Sequence, residues 1–134
     1  MEVKLAAKRI TVPLAVLVDE GSASASELTA GVLQDQGRGR VFGSPSCGCL
    51  LGVRSSGEDL PGGGRLLFSQ FDMQIGQRPR VEGVGVIPDV PVQPSTLALQ
   101  TGQDTVFEAA QAWVLQPAAA PAAPPAPPAP RAAP

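Results

Sequence analysis

Histidine and tyrosine are absent from this 134-residue chain, and lysine occurs only as Lys4 and Lys8. Without histidine there is no Ser-His-Asp triad, no Cys-His pair and no His-ligated metal. Beyond position 8 the only cationic side chains are arginines, which stay protonated and cannot serve as general bases. Aromatic residues make up 4% of the chain, the ten basic residues are scattered, and the net charge is −2. A nucleic-acid interface needs a basic patch, so that class is excluded. No apolar run approaches the ~20 residues of a membrane-spanning helix, and residues 1–4 lack the apolar segment of a signal peptide. There are two cysteines, Cys47 and Cys49. They are too few for a zinc site, and a bridge across one residue is geometrically unfavourable. Two free, partly buried thiols are expected, with no cofactor and no metal.

What is present is one α/β domain. The continuous apolar run Leu14-Ala15-Val16-Leu17-Val18 predicts a strand over 12–18, buried on both faces. Asp19-Glu20-Gly21 break it. Ala25, Leu28 and Val32 then recur at helical spacing, which predicts a helix over 24–36 closed by Gly37. Residues 40–42 read as a second strand, parallel to the first through a βαβ crossover. A small-residue loop follows over 43–49, then a short strand over 50–53 and a flexible hairpin connection over 55–64. Apolar residues mostly alternate over 67–75, as in a half-buried strand. Residues 81–90 form a turn and an edge strand, since Pro88 cannot donate to a central ladder. Asp72, Glu82 and Asp89 read as solvated loop charges. The last helix is expected over 105–115, capped by Asp104, with Val106, Ala110, Trp113 and Val114 on one face. Residues 1–10 read as the remnant of a preceding element and 11–116 as the domain. Residues 117–134, almost only Pro and Ala, read as an extended tail.

The turn before the first helix carries the chemistry. Ser24-Ala25-Ser26-Glu27 has the S-x-x-E form of a capping box. A helix N-terminus offers unpaired N–H groups and a partial positive charge. An oxyanion formed beside it would be stabilised, as acyl transfer requires. The pattern by itself is that of an ordinary cap, so its context must decide.

That context is specific. The segment from Pro13 to Glu27, continued by Ala30-Gly31-Val32-Leu33-Gln34-Asp35, Gly37-Arg38 and Val41-Phe42-Gly43, closely resembles the C-terminal processing peptidases, or tail-specific proteases. Glu82-Gly83-Val84-Gly85-Val86-Ile87-Pro88-Asp89-Val90-Pro91-Val92 resembles the segment that closes the same core. The resemblance implies a serine endopeptidase with a Ser–Lys dyad that acts near the C-termini of polypeptide substrates. It further implies a crotonase/Clp-protease-like core with a βαβ unit, a β-hairpin region and a C-terminal helix. The nucleophile position falls on Ser24, and the Ala25 N–H would supply an oxyanion donor. The family's PDZ domain and glycine-rich oxyanion segment would fall before residue 1. The family setting suggests the cell envelope or periplasm.

At one position the chain departs from the pattern. Where the family's loop carries its general-base lysine, this chain has Cys49, within Gly43-Ser44-Pro45-Ser46-Cys47-Gly48-Cys49-Leu50. A positioned base contributes about 10²–10⁴-fold, so weak or absent hydrolysis is expected. The alternative is a non-catalytic module on the same fold that binds peptides or apolar ligands, as the similar retinoid-binding domains do. A partial core would also leave a sheet edge open to self-association.

Overall fold

The computed structural model describes residues 11–53 and 57–116. The expectations for 1–10 and 117–134 lie outside them. The centre is a parallel three-stranded sheet of β1 (Ala15–Val18), β2 (Arg40–Gly43) and β7 (Val90–Pro91), in the order β1-β2-β7. Ala15 lies opposite Arg40 and Val18 opposite Gly43, while Phe42 faces Val90 and Gly43 faces Pro91. Helix α1 (Ala25–Asp35) connects β1 to β2, completing the βαβ unit. Its C-cap is Gln36, and Gly37 follows at φ 59, the left-handed conformation that ends many helices. Pro91 fits because β7 is an outer strand, where a missing N–H costs nothing. Among the described strands, β1 is the other edge.

Successive residues of β2 point to opposite faces and recruit different layers. Val41 joins a buried cluster with Val18, Ala30, Leu50, Ile75, Val81 and Val86. Phe42 is 2% exposed and packs on Trp113, with ring centroids 5.7 Å apart. Trp113 belongs to α3 (Thr105–Val114), and the Arg40 guanidinium lies over the same indole at 5.8 Å. Helices α1 and α3 therefore cover opposite faces of β2, the arrangement a parallel sheet needs to bury both sides. Asp104 caps α3 as expected, its Oδ1 accepting from the N–H groups of Val106 and Phe107 at 3.0 Å. Ala110 of that helix is buried.

Elsewhere the expectations change. The strand foreseen over 67–75 is reduced to β6 (Ser69–Phe71), which pairs antiparallel with β3 (Gly52–Val53). All three β6 residues are exposed, and so are Leu67 and Phe68. The alternation is real, but no described element covers its apolar face. Only Ile75 and Met73, at the end of the stretch, reach the core. The hairpin connection expected over 55–64 does join antiparallel partners, β3 and β6, and its described part leads through a small hairpin of its own, β4 (Glu58–Asp59) with β5 (Arg65–Leu66), in which Arg65 pairs with Asp59 at 3.5 Å. A five-residue helix, α2 (Thr96–Gln100), was not foreseen. It is too short to show periodicity, and its signal is the cap Ser95, which accepts from the Ala98 N–H at 3.3 Å.

Candidate functional site

Strand β1 delivers the chain to a turn tied by Asp19. Its Oδ1 accepts from the Gly21 N–H at 3.1 Å and from the Ser22 hydroxyl at 3.0 Å, and its carbonyl accepts from the Ser22 N–H at 3.0 Å. Two residues later comes Ser24, the N-cap of α1, at φ 57 and ψ −119. It is the one non-glycine residue with positive φ among the described residues. Such a conformation costs on the order of 1–3 kcal/mol and persists only where neighbours over-determine it. Here they do. The Ser24 N–H is shared between the Cys49 carbonyl at 3.1 Å and Glu27 Oε2 at 3.0 Å, and the Ser24 carbonyl accepts from the Leu28 N–H at 3.1 Å. Ser24 and Ala25 are exposed.

Glu27 holds the other half of the site. The capping-box reading gives it one partner, and the structure gives it four. Oε1 accepts from the Ser46 hydroxyl at 2.6 Å and the Gly48 N–H at 2.7 Å, while Oε2 accepts from Cys49 N–H at 2.8 Å as well as from Ser24. The residue is 0% exposed. Burial pushes its carboxyl up, but the hydrogen bonds from Ser46, Cys49, Gly48 and Ser24 outweigh burial and hold it below its ordinary value. The buried charge thus ties the loop after β2 onto the start of α1. Sequence reasoning missed this role and that of Ser46. The only local signal was a glutamate at the third helical position.

The loop is pinned from its far side too. Ser46 donates its N–H to the Val86 carbonyl at 3.2 Å and accepts the Val86 N–H on its hydroxyl at 2.7 Å. Leu50 N–H donates to Glu82 Oε2 at 2.6 Å, and Gly83 N–H donates to the Gly48 carbonyl at 2.8 Å. Gly48 sits at φ +73, and a Cβ there would come within 2.8 Å of the Val84 nitrogen, so the close approach requires glycine. Asp89 accepts from the Val41 N–H at 2.8 Å and from Gln34 Nε2 at 2.7 Å. Asp72 pairs with Arg80. Asp72 is thus the exposed loop charge expected of it, in a surface pair eight residues apart, whereas Glu82 and Asp89 accept from donors that segments remote in sequence present to them.

Cys47 and Cys49 also depart from expectation. They form a disulfide, and both residues are exposed rather than partly buried. Gly48 turns the chain between them so that their Cα atoms stand 5.3 Å apart, within bridging range. Of the site residues expected from sequence, Ser24, Ala25 and Cys49 are brought together at one turn. Among the described residues no acceptor takes the Ala25 N–H, and neither lysine nor histidine is present among them. Lys8 lies outside them. A cleft of about 440 Å³ opens beside the turn, lined by β1 and the first two turns of α1, including Val16, Leu17, Ser22, Ala25 and Ala30.

The sequence and the fold both have known relatives. The model of Peptidase family S41 matches residues 2–92. The chain is 40% identical over 83 residues to carboxyl-terminal-processing peptidase 2, chloroplastic, of Arabidopsis thaliana, covering 62% of this chain and 16% of that protein. It is 34% identical over 101 residues to the carboxyl-terminal-processing protease of Picosynechococcus, covering 73% and 24%. The chain therefore spans less than a quarter of the length of each of these curated relatives. In fold it resembles the tricorn protease at a TM-score of 0.67 and 21% identity, covering 76% of this chain and 10% of that one. It also resembles a solved structure from Parabacteroides merdae at 0.63 and 26%, covering 77% and 32%.

Proposed function

The chain belongs to peptidase family S41, and from that premise we propose that it is the nucleophile-bearing part of a serine endopeptidase of the carboxyl-terminal-processing kind, with Ser24 as nucleophile. The observation that carries the reading is the backbone of Ser24. A non-glycine residue held at φ 57 between a strand and a helix N-terminus is the device that lifts a nucleophile clear of a sheet. The Ala25 N–H, without an acceptor among the described residues, supports its reading as an oxyanion donor.

The same reading makes the chain a poor hydrolase. A serine hydroxyl needs a base within hydrogen-bond reach. The family's lysine position carries Cys49, whose sulfur is in a disulfide and accepts no proton. Arginine stays protonated. Substrates in this reading are polypeptides presenting C-terminal segments, as the names of the relatives imply for those proteins.

A fluorophosphonate probe tests both parts. Slow labelling is expected for the natural chain, none for Ser24→Ala, and a gain of about 10²–10⁴-fold for Cys49→Lys. Fast labelling of the natural chain at Ser24 would refute the missing base. An unchanged rate in a folded Cys49→Lys variant would refute the pairing of positions 24 and 49.

The apolar lining of the cleft beside Ser24 favours a second reading, a non-catalytic module for peptides or apolar ligands. Saturable binding without turnover, retained in Ser24→Ala, would select it. The edge of β1, unpaired among the described residues and with Leu17 42% exposed, offers a place for self-association. A monodisperse monomer in size-exclusion chromatography would exclude that.

A further inference from the structure

Cys47 and Cys49 are the only cysteines in the chain, and three features separate their bond from a structural staple. The ring they close spans two peptide units, so it constrains the unfolded chain very little. The loop is also held without it. Cys47 N–H donates to the Ser22 carbonyl at 2.9 Å, Gly48 and Cys49 N–H groups donate to Glu27, and the Cys49 carbonyl accepts from Ser24. None of these bonds involves sulfur. Finally, exposure alternates along the loop. Ser44, Ser46, Gly48 and Leu50 are buried, while Cys47 and Cys49 face outward.

A disulfide that faces solvent on a frame which stands without it is accessible to thiolate attack. We propose that the Cys47–Cys49 pair is a thiol–disulfide exchange centre whose substrate is a dithiol. One thiolate of the dithiol attacks one sulfur of the pair, the S–S bond breaks, and its electron pair leaves on the other cysteine, which takes a proton. The second thiolate of the dithiol then attacks the reductant's own sulfur in the mixed disulfide and releases the remaining cysteine, which is protonated in turn. The dithiol ends as a disulfide, oxidised by two electrons, and Cys47 and Cys49 end as two thiols. A disulfide substrate runs the sequence backwards. This chemistry needs no part of the serine mechanism, although both cysteines bond through their backbones to the turn that carries Ser24.

The test uses the full chain under native conditions, with dithiothreitol and reduced thioredoxin as two dithiol probes. Thiols are alkylated and counted by intact mass, and the fold is followed by far-ultraviolet circular dichroism. Expected are zero alkyl groups before reduction, two after it, an unchanged spectrum, and a return to zero with oxidised glutathione. Ser24→Ala should behave identically, which separates this result from any failure of the serine reading. Cys47→Ser and Cys49→Ser should each capture one glutathione per chain. Faster reduction by thioredoxin at equal concentration supports the proposal with a protein dithiol as the source, and faster reduction by dithiothreitol supports it with a small one. The proposal is overturned if the bond resists both probes until denaturant is added, if reduction collapses the spectrum, or if the pair is found as thiols that oxidised glutathione does not close.

Discussion

Replacing Glu27 by glutamine removes one acceptor oxygen and adds two donor hydrogens at a site built entirely of donors. Each carboxylate oxygen accepts two hydrogen bonds, Oε1 from Ser46 and Gly48, Oε2 from Ser24 and Cys49. The amide can satisfy only one of these pairs. With its oxygen towards Ser24 and Cys49, its NH₂ meets the Gly48 N–H head-on and a Ser46 hydroxyl already accepting from Val86. At least one buried N–H is then left without an acceptor. An unsatisfied buried donor costs about 1–3 kcal/mol, and bonds to a charged acceptor are worth about 1.5–3 kcal/mol each, so Glu27→Gln should cost roughly 2–5 kcal/mol. That corresponds to a fall in Tm of roughly 10–20 °C for a domain of this size.

The loss should depend on pH in a defined direction. The folded carboxyl titrates below its ordinary value of 4.5. Its network is therefore fully present above about pH 4.5 and is lost as pH falls through the folded value. Urea titrations of both proteins at pH 7 and at stepwise lower pH measure this. The gap between natural and variant chains should be widest at neutral pH and shrink in acid. A variant within about 0.5 kcal/mol of the natural chain at pH 7, the ordinary effect of a surface change, would refute the hub. A large gap that stays constant into acid would refute its ionic basis.

Phe42→Ala should cost about 3–5 kcal/mol, and the emission of Trp113, the chain's only tryptophan, should shift to the red as its ring neighbour disappears. Asp89→Ala leaves the Val41 N–H without its acceptor and the Gln34 amide with the Ile87 carbonyl alone, and should cost about 1–3 kcal/mol in urea denaturation. Ser24→Gly relieves a strain of about 1–3 kcal/mol against a glycine penalty of about 0.5–1 kcal/mol. It should raise the Tm slightly, and a lower Tm would show that the Ser24 conformation is unstrained.

What could be read from sequence is what neighbouring residues decide. The run 14–18, the spacing of Ala25, Leu28 and Val32, Gly37 after the helix and Asp104 before the last one each act within a turn or two, and β1, α1 and α3 formed where they pointed. The burial expected on both faces of the first strand did not follow: β1 begins at Ala15, only Val18 in it is buried, and Leu17 is 42% exposed, because the strand is an edge among the described strands. Family membership was legible for the same reason, since long local blocks carry it. The period-two stretch 67–75 failed because alternation states which face is apolar and not whether anything covers it. The disulfide was missed because spacing argued against a bridge, whereas Gly48 at φ +73 brings the two Cα atoms within reach.

The carboxylates mark the boundary between the two kinds of information. A glutamate at the third helical position announces one bond, to Ser24, three residues away. Its remaining partners lie 19 to 22 residues downstream, and those of Asp89 lie 48 and 55 residues upstream. Burying such a charge is favourable only once the distant donors arrive together. This explains why the two blocks that carry the resemblance, 13–43 and 82–92, occur in one chain though some 40 residues part them. Val86 grips Ser46, Glu82 grips Leu50, and Asp89 grips β2 and α1. The loop so clamped delivers Ser46, Gly48 and Cys49 to Glu27, and Cys49 and Glu27 hold Ser24 in its strained conformation. Without the second block, the first would fold back into an ordinary helix cap.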